Sequence, residues 1–167
     1  GVTTHEAVSP QLNEQMTVLV KTFLRPRTLL RLLTSIRRFY PALPIIVVDD
    51  SPHAQPIPGP NIETVILPYD SGLSVGRMAG LKRVQTPYVL LLDDDFVFYR
   101  HTRLGQALAL MQQQPTIDIM GGAVVNLPFF TTADYQKATV YPTAAAATHP
   151  PGTHIGGLPT LDKVANF

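Results

Sequence analysis

The sequence contains no cysteine. Its absence excludes disulfide bonds, thiolate metal sites and a cysteine nucleophile. The net charge is only +1, so no bulk electrostatic attraction favours nucleic acid or a membrane surface. Long apolar runs are absent too, since none approaches the roughly 20 residues of a membrane-spanning helix. We therefore expect no nucleic-acid partner and no membrane segment in this chain.

What is present is the composition of a globular domain. The 167 residues are 45% hydrophobic and 15% charged, enough for one domain with a substantial core. Strand-like and helix-like segments alternate, which predicts an α/β fold with a mostly parallel sheet flanked by helices. Residues 1–15 show no clear period and are expected to form an N-terminal tail, followed by one domain at 16–167.

Hydrophobic periodicity and the glycine and proline breaks place the individual elements. Strands are predicted at 16–22, 45–48, 64–67, 88–92 and 117–120. Helices are predicted at 26–40, 73–84 and 104–114. Beyond residue 122 the pattern weakens, with candidate strands at 124–125 and 137–141 and a candidate long loop at 143–159.

Three consecutive carboxylates, Asp93, Asp94 and Asp95, follow the predicted strand 88–92. Ligands in open α/β folds lie at the carboxyl edge of the sheet, where this triplet would sit. While the backbone stays extended, Asp93 and Asp95 share one side and Asp94 faces the other. Oxygen ligands at this spacing suit Mg²⁺ or Mn²⁺. The alternative is an ordinary acidic strand end that caps the next segment.

A second predicted strand also ends in carboxylates, Asp49 and Asp50. In a parallel sheet both acidic clusters lie on the same edge. The segment between them contains Gly72 and Gly76, followed by Arg77, whose planar guanidinium suits a phosphate or a base. The spacing is neither the dinucleotide fingerprint nor a P-loop, and a plain loop that enters a helix is the alternative.

The sequence resembles the family-2 type inverting glycosyltransferases of the GT-A fold and, within them, the ganglioside-type β-1,4-N-acetylgalactosaminyltransferases. The strings that carry the resemblance are Val-Leu-Val-Lys-Thr-Phe-Leu-Arg at 18–25, Thr-Ser-Ile-Arg-Arg-Phe-Tyr-Pro at 34–41, Val-Asp-Asp-Ser at 48–51 and Tyr-Val-Leu-Leu-Leu-Asp-Asp-Asp-Phe-Val-Phe at 88–98. It spans roughly residues 16–125 and recurs at 162–167. The family continues beyond that point, so the C-terminal acceptor part is expected to be missing from this chain.

The resemblance implies a GT-A nucleotide-sugar-binding domain, a UDP-sugar donor, a Mn²⁺ or Mg²⁺ cofactor and a glycan or glycolipid acceptor. Thr22 and Phe23 would line the nucleotide pocket and Asp50 would bond the uracil. Arg25 and Ser51 belong to the same implied donor-binding set. A Golgi-lumenal location is also implied.

The remaining implied roles concern the diphosphate and the metal. Arg77 would lie near the base and the diphosphate, while Asp93 and Asp94 would approach the ribose and the sugar. Asp95 would bind the metal, with Asp93 as a second candidate ligand. An inverting enzyme also needs a carboxylate base to deprotonate the acceptor hydroxyl, and no residue of this sequence is assigned to that role.

Two other functions fit parts of the pattern. A phosphatase of the haloacid-dehalogenase type would use Asp93 as a covalent nucleophile, although that motif normally opens its domain. A non-catalytic nucleotide-sugar-binding module would keep the fold without the base.

Overall fold

A four-stranded parallel sheet organises the structure, a computed structural model that describes residues 5–127 and 162–166. Its strands are β1 (Met16–Thr22), β2 (Ile45–Asp49), β3 (Ile62–Ile66) and β4 (Tyr88–Asp93), in the order β3-β2-β1-β4. Helix α2 (Pro26–Phe39) connects β1 to β2, and α3 (Leu73–Leu81) connects β3 to β4. The α/β class and the mostly parallel sheet predicted from the sequence are confirmed.

The remaining elements surround this sheet. Helix α1 (Pro10–Gln15) precedes β1, and α4 (Leu104–Gln113) follows the short strand β5 (Phe96–Val97). A second sheet has the order β5-β7-β6, with β6 at Ala123–Leu127 and β7 at Asp162–Asn166. The β5–β7 pair is parallel and the β6–β7 pair is antiparallel.

The larger core lies between the sheet and α2. Apolar residues recur along α2 at helical spacing, so they share one face that packs against the central strands. Burying this face is the main stabilising contribution of the helix. The fully buried members of the contact are Val18, Val20, Ile45, Val47, Leu32 and Ile36.

Helix α3 approaches the opposite face of the sheet closely because glycines face the strands. A Cβ atom built on Gly80 would lie 2.2 Å from Cδ1 of Leu19, and one built on Gly76 would lie 2.7 Å from Cγ of Lys21. Both glycines are buried. Gly76, which the sequence pattern singled out, and Gly80, which it did not, therefore set the distance between α3 and the sheet.

Two sequence predictions differ from the structure. Residues 117–120 form no strand, and Ile119 is 89% exposed; the strand forms later, as β6, where it pairs with β7. The predicted tail is folded from residue 5 onward, since α1 forms there and Leu12 is buried. The predicted segments 137–141 and 143–159 lie outside the described residues. Within the described residues, no helix is both long and apolar enough to cross a membrane.

Candidate active site

The two acidic clusters lie at the same edge of the sheet. Strand β1 separates β2 from β4, and its Thr22 pairs in register with Asp49 while Lys21 pairs with Asp93. All three strands are parallel, so their carboxyl ends meet at one edge. Because neighbouring strands lie about 4.8 Å apart, β2 and β4 are about 10 Å apart across β1. The predicted common edge is confirmed, with β1 between the two clusters.

The carboxylate triplet does not follow the alternation of an extended strand. Strand β4 ends at Asp93, and the next two residues form a turn. Asp93 meets Arg77 of α3, with 3.1 Å between Nη2 and Oδ1. Asp94 and Asp95 instead both face Arg25. Oδ1 of Asp94 lies 2.9 Å from Nη1 of Arg25, and Oδ2 of Asp95 lies 3.9 Å from Nη2. The expectation that Asp93 and Asp95 share one side holds only for an extended backbone. Because residues 94 and 95 form a turn, it does not apply here.

Asp94 is the most enclosed carboxylate of the triplet. Its Oδ2 accepts a 2.9 Å hydrogen bond from Oγ1 of Thr22, a buried residue at the end of β1. Burial raises the pKa of Asp94, and the negative charges of Asp95 and Asp93 raise it further, while Thr22 and Arg25 oppose the shift. The contacts with Thr22 and Arg25 supply the hydrogen bonds that a buried carboxylate requires.

Asp95 has a buried oxygen without a partner. Its side chain is 14% exposed, and among the described residues Oδ1 has no hydrogen-bond donor. Such an atom is costly to bury unless a ligand, an ion or water completes it. A divalent cation fits this oxygen chemically, since Mg²⁺ takes one or two carboxylates and completes its shell with waters and substrate phosphates. No group of three or more His, Asp or Glu side chains gathers for a metal in the described part of the chain.

Asp50 is held from two sides at the end of β2. Its Oδ1 forms an ion pair with Nζ of Lys21, and its Oδ2 accepts a 2.9 Å hydrogen bond from the Gly72 N–H. Burial alone raises the pKa of the Asp50 carboxyl, but Lys21 and the Gly72 N–H outweigh it, so the pKa lies below its ordinary value. The carboxylate is therefore ionised and has a fixed orientation.

Two aromatic side chains lie beside this ion pair. The ring centroids of Phe23 and Tyr69 are 5.8 Å apart, and the rings are tilted by 43°. Nζ of Lys21 lies 5.2 Å from the Phe23 centroid. Tyr69 is 65% exposed, so one face of this aromatic pair is open to a planar ligand.

Not all predicted donor-binding residues share one pocket. Thr22, Arg25 and Ser51 line a cavity of about 440 Å³ at the α2 side of the edge. Oγ of Ser51 accepts a 2.7 Å hydrogen bond from the N–H of Leu24, so Ser51 also fixes the loop after β1. Arg77 and Asp93 meet between α3 and β4 instead. The predicted residues thus share one edge of the sheet but divide between its two faces.

Sequence reasoning missed Lys21 and Tyr69 as members of this region. A signal for Lys21 was available, because a lysine inside an otherwise buried strand needs a negative partner. Nothing local distinguishes Tyr69 from an ordinary loop aromatic, because its contact with Phe23 spans 46 positions. Both residues become visible only when β1, β2 and the loop before α3 are placed together.

Comparisons with known proteins agree with this architecture. Residues 17–156 match glycosyl transferase family 2. Beta-1,4 N-acetylgalactosaminyltransferase 1 of Homo sapiens is 40% identical over 129 residues, which cover 77% of this chain and 24% of that protein. Beta-1,4 N-acetylgalactosaminyltransferase 2 of Mus musculus is 37% identical over 114 residues, covering 68% of this chain and 22% of that protein. The chain therefore spans about a quarter of the length of these relatives.

Among solved structures, the crystal structure of S. aureus TarS 1-349 is similar to this chain with a TM-score of 0.52. The match covers 66% of this chain and 34% of that one, at 21% sequence identity. At this identity the similarity supports the fold alone, and it confirms the GT-A class expected from the sequence.

Proposed function

Because the chain belongs to glycosyl transferase family 2, we propose that it binds a UDP-sugar and acts as an inverting, metal-dependent glycosyltransferase. The donor sugar is an N-acetylhexosamine, and the acceptor is the hydroxyl of a glycan or glycolipid. The relatives named above, both N-acetylgalactosaminyltransferases, support the sugar class. The Golgi lumen is the proposed compartment, and it rests on the family resemblance.

The observation that supports the site most directly is Oδ1 of Asp95 at the carboxyl edge of the sheet, a buried oxygen that has no hydrogen-bond partner among residues 5–127 and 162–166. Arg25 and Arg77 flank the carboxylate triplet on its two sides. Asp95 thus offers an oxygen to a cation, and Arg25 and Arg77 offer two guanidinium groups to an anionic ligand. A nucleoside diphosphate has the charge and the oxygens that this arrangement needs.

Each donor-binding residue has a proposed part in holding that ligand. Thr22 and Phe23 line the nucleotide pocket, and Asp50 accepts a hydrogen bond from the uracil. Arg25 and Ser51 form the adjoining wall on the α2 side.

At the other end of the donor, Arg77 contacts the diphosphate, while Asp93 and Asp94 approach the ribose and the sugar. Asp95, with Asp93 as a second candidate, would hold Mn²⁺ or Mg²⁺. When bound, the cation would supply positive charge opposite the negative charge that develops on the leaving diphosphate. Arg25 and Arg77 stabilise the same charge through the phosphate oxygens.

The haloacid-dehalogenase alternative loses support because the family that the chain matches is a glycosyltransferase family. Nucleotide-sugar binding without turnover, the other alternative, differs from the proposal in a measurable outcome. It predicts donor binding but no transfer to any acceptor.

A donor screen by thermal shift tests the proposal. We expect UDP with Mn²⁺ to raise the melting temperature, whereas GDP and CMP do not. Asp95→Asn should abolish the Mn²⁺-dependent part of the shift, because it removes the charged oxygen from the site. The same substitution at the exposed Asp118 serves as the matched control and should leave the shift unchanged. No shift with any uridine nucleotide would refute the proposed donor.

A further inference from the structure

The ion pair between Lys21 and Asp50 is unusually enclosed. The side chains of Lys21 and Asp50 are 8% and 1% exposed, although both lie at a sheet edge where the donor is proposed to bind. A buried ion pair adds little net stability compared with apolar side chains of similar size. The ion pair at this position is therefore better explained by a role in orienting the Asp50 carboxylate than by a contribution to stability.

The fold makes specific room for the lysine. A Cβ atom on Gly76 of α3 would lie 2.7 Å from Cγ of Lys21 and 3.0 Å from Cε. The glycine therefore lets the aliphatic stem pass beneath α3. Nζ then reaches Oδ1 of Asp50 and lies 5.2 Å from the centre of the Phe23 ring. Lys21 thus contacts the residue proposed to bond the uracil and one of the two residues proposed to line the nucleotide pocket.

The other side of Asp50 is fixed by the loop before α3. Oδ2 accepts from the Gly72 N–H at 2.9 Å, and the backbone oxygen of Asp50 accepts from the Asp70 N–H at 3.1 Å. A carboxylate has about four acceptor positions, and the contacts with Lys21 and Gly72 occupy two of them.

The neighbouring charges on the surrounding elements have other contacts. On β2, Asp49 accepts from the Ser51 N–H, and the α3 guanidinium of Arg77 contacts Asp93 of β4. Lys21 is the charged side chain that acts on the Asp50 carboxylate in the described part of the chain.

We propose that Lys21 is a positioning residue of the donor site, which orients the Asp50 carboxylate so that it can accept a hydrogen bond from the N3–H of the uracil. Lys21 acts through Asp50, without touching the reacting atoms. The inference rests on the proposed function, because it presumes a uridine donor. It predicts that Lys21 controls recognition of the base and not of the diphosphate.

Calorimetric titration of Lys21→Met tests this role with UDP, UMP and uridine in the presence of Mn²⁺. We expect affinity for all three ligands to fall by about tenfold or more, since each loses the same charge-assisted hydrogen bond. A defect confined to UDP would contradict the inference, because it would place Lys21 at the diphosphate.

A pH profile and a double variant separate positioning from a general structural defect. Without the lysine, the buried Asp50 should bind a proton more readily, so the affinity of Lys21→Met for uridine should decline as the pH falls from neutral. The affinity of the parent chain for uridine should change much less, because Lys21 keeps the pKa of Asp50 below its ordinary value. Asp50→Asn combined with Lys21→Met should lose no more affinity than Asp50→Asn alone. Additive losses would overturn the proposal.

Gly76→Ala provides a second route if Lys21→Met fails to fold. It displaces the lysine stem and leaves both charges in the chain, so uridine affinity should again fall. Gly121→Ala is the matched control, because a Cβ there meets nothing within 4 Å among the described residues. If the parent chain binds no uridine ligand, the proposed function fails. If the parent binds UDP and the folded Lys21→Met or Gly76→Ala chain binds it equally well, only the present inference fails.

Discussion

Thr22 and Asp94 join the ends of β1 and β4 through a buried hydrogen bond of 2.9 Å. The donor is the last residue of a central strand, and the acceptor lies in the turn that follows the neighbouring strand. This bond, with Arg25 on the other carboxylate oxygen, satisfies a carboxylate that the sheet edge would otherwise leave buried and unpaired. It also fixes the turn that directs Asp95 away from the line of β4.

Thr22→Val tests the contribution of this hydrogen bond. Valine keeps the shape of threonine but cannot donate, so the buried carboxylate loses one of its partners. We expect the free energy of unfolding to fall by about 1–3 kcal/mol, measured by urea denaturation. Thr34→Val is the control, because Thr34 is exposed on α2 and should change stability little. Equal stability of Thr22→Val and the parent chain would show that the bond contributes nothing in solution.

Arg77→Met tests the proposed contact with the diphosphate. If the guanidinium binds phosphate oxygens, Arg77→Met should lower the affinity for UDP by about tenfold or more. The affinity for uridine, which has no phosphate, should fall much less. Titration calorimetry with the two ligands gives both values. Arg83→Met is the matched control, since Arg83 pairs with Glu63 at 2.6 Å on the exposed surface. An equal loss for UDP and uridine would instead place Arg77 at the base.

The central sheet could be predicted from the sequence because each strand is a local apolar run. Residues 16–22 and 45–48 bury almost completely, so their patterns identify them without reference to any partner. The segment 117–120 has a similar apolar pattern, yet it forms no strand. Strand formation there depends on pairing, and the available partner β7 aligns with residues 123–127 instead.

The site could be predicted only in part for a related reason. The acidic ends of β2 and β4 follow from strand polarity, so Asp50 and Asp93 fall at one edge as expected. The direction of each carboxylate depends on the turn after Asp93, which a run of three aspartates does not reveal. The pairing of Lys21 with Asp50 depends on the register of β1 and on the room at Gly76. Contacts of this kind become visible only in three dimensions.

Gly80→Ala tests whether the close approach of α3 requires a glycine. The added Cβ would lie 2.2 Å from Leu19 Cδ1 and 2.9 Å from Val48 Cγ2, both in the core under α3. Overpacking of this kind costs about 1–3 kcal/mol, which outweighs the better helix propensity of alanine. Thermal and urea denaturation measure the loss. Gly121→Ala is again the control, and a Gly80→Ala chain more stable than the parent would show that α3 lies farther from the sheet.

Tyr40→Phe tests whether the N-terminal segment belongs to the folded domain. The buried Tyr40 hydroxyl donates a 2.6 Å hydrogen bond to Oε1 of Glu6 and accepts one of 3.0 Å from the N–H of Leu104. Burial and the bond to Glu6 raise the pKa of this phenol, so it remains a neutral donor at physiological pH. Removing it takes the acceptor from the Leu104 N–H and one of two donors from Glu6, and we expect a loss of about 1–3 kcal/mol in urea denaturation.

Tyr69→Phe controls for the chemistry of the substitution, because the Tyr69 side chain is mostly exposed and its loss of a hydroxyl should leave stability nearly unchanged. Hydrogen exchange adds a local measurement. Since Glu6 also accepts from the Gly105 N–H at 2.8 Å, Tyr40→Phe should speed exchange at the start of α4 as well as in residues 5–15. Unchanged stability and exchange in Tyr40→Phe would mean that the N-terminal segment is not anchored through this hydroxyl.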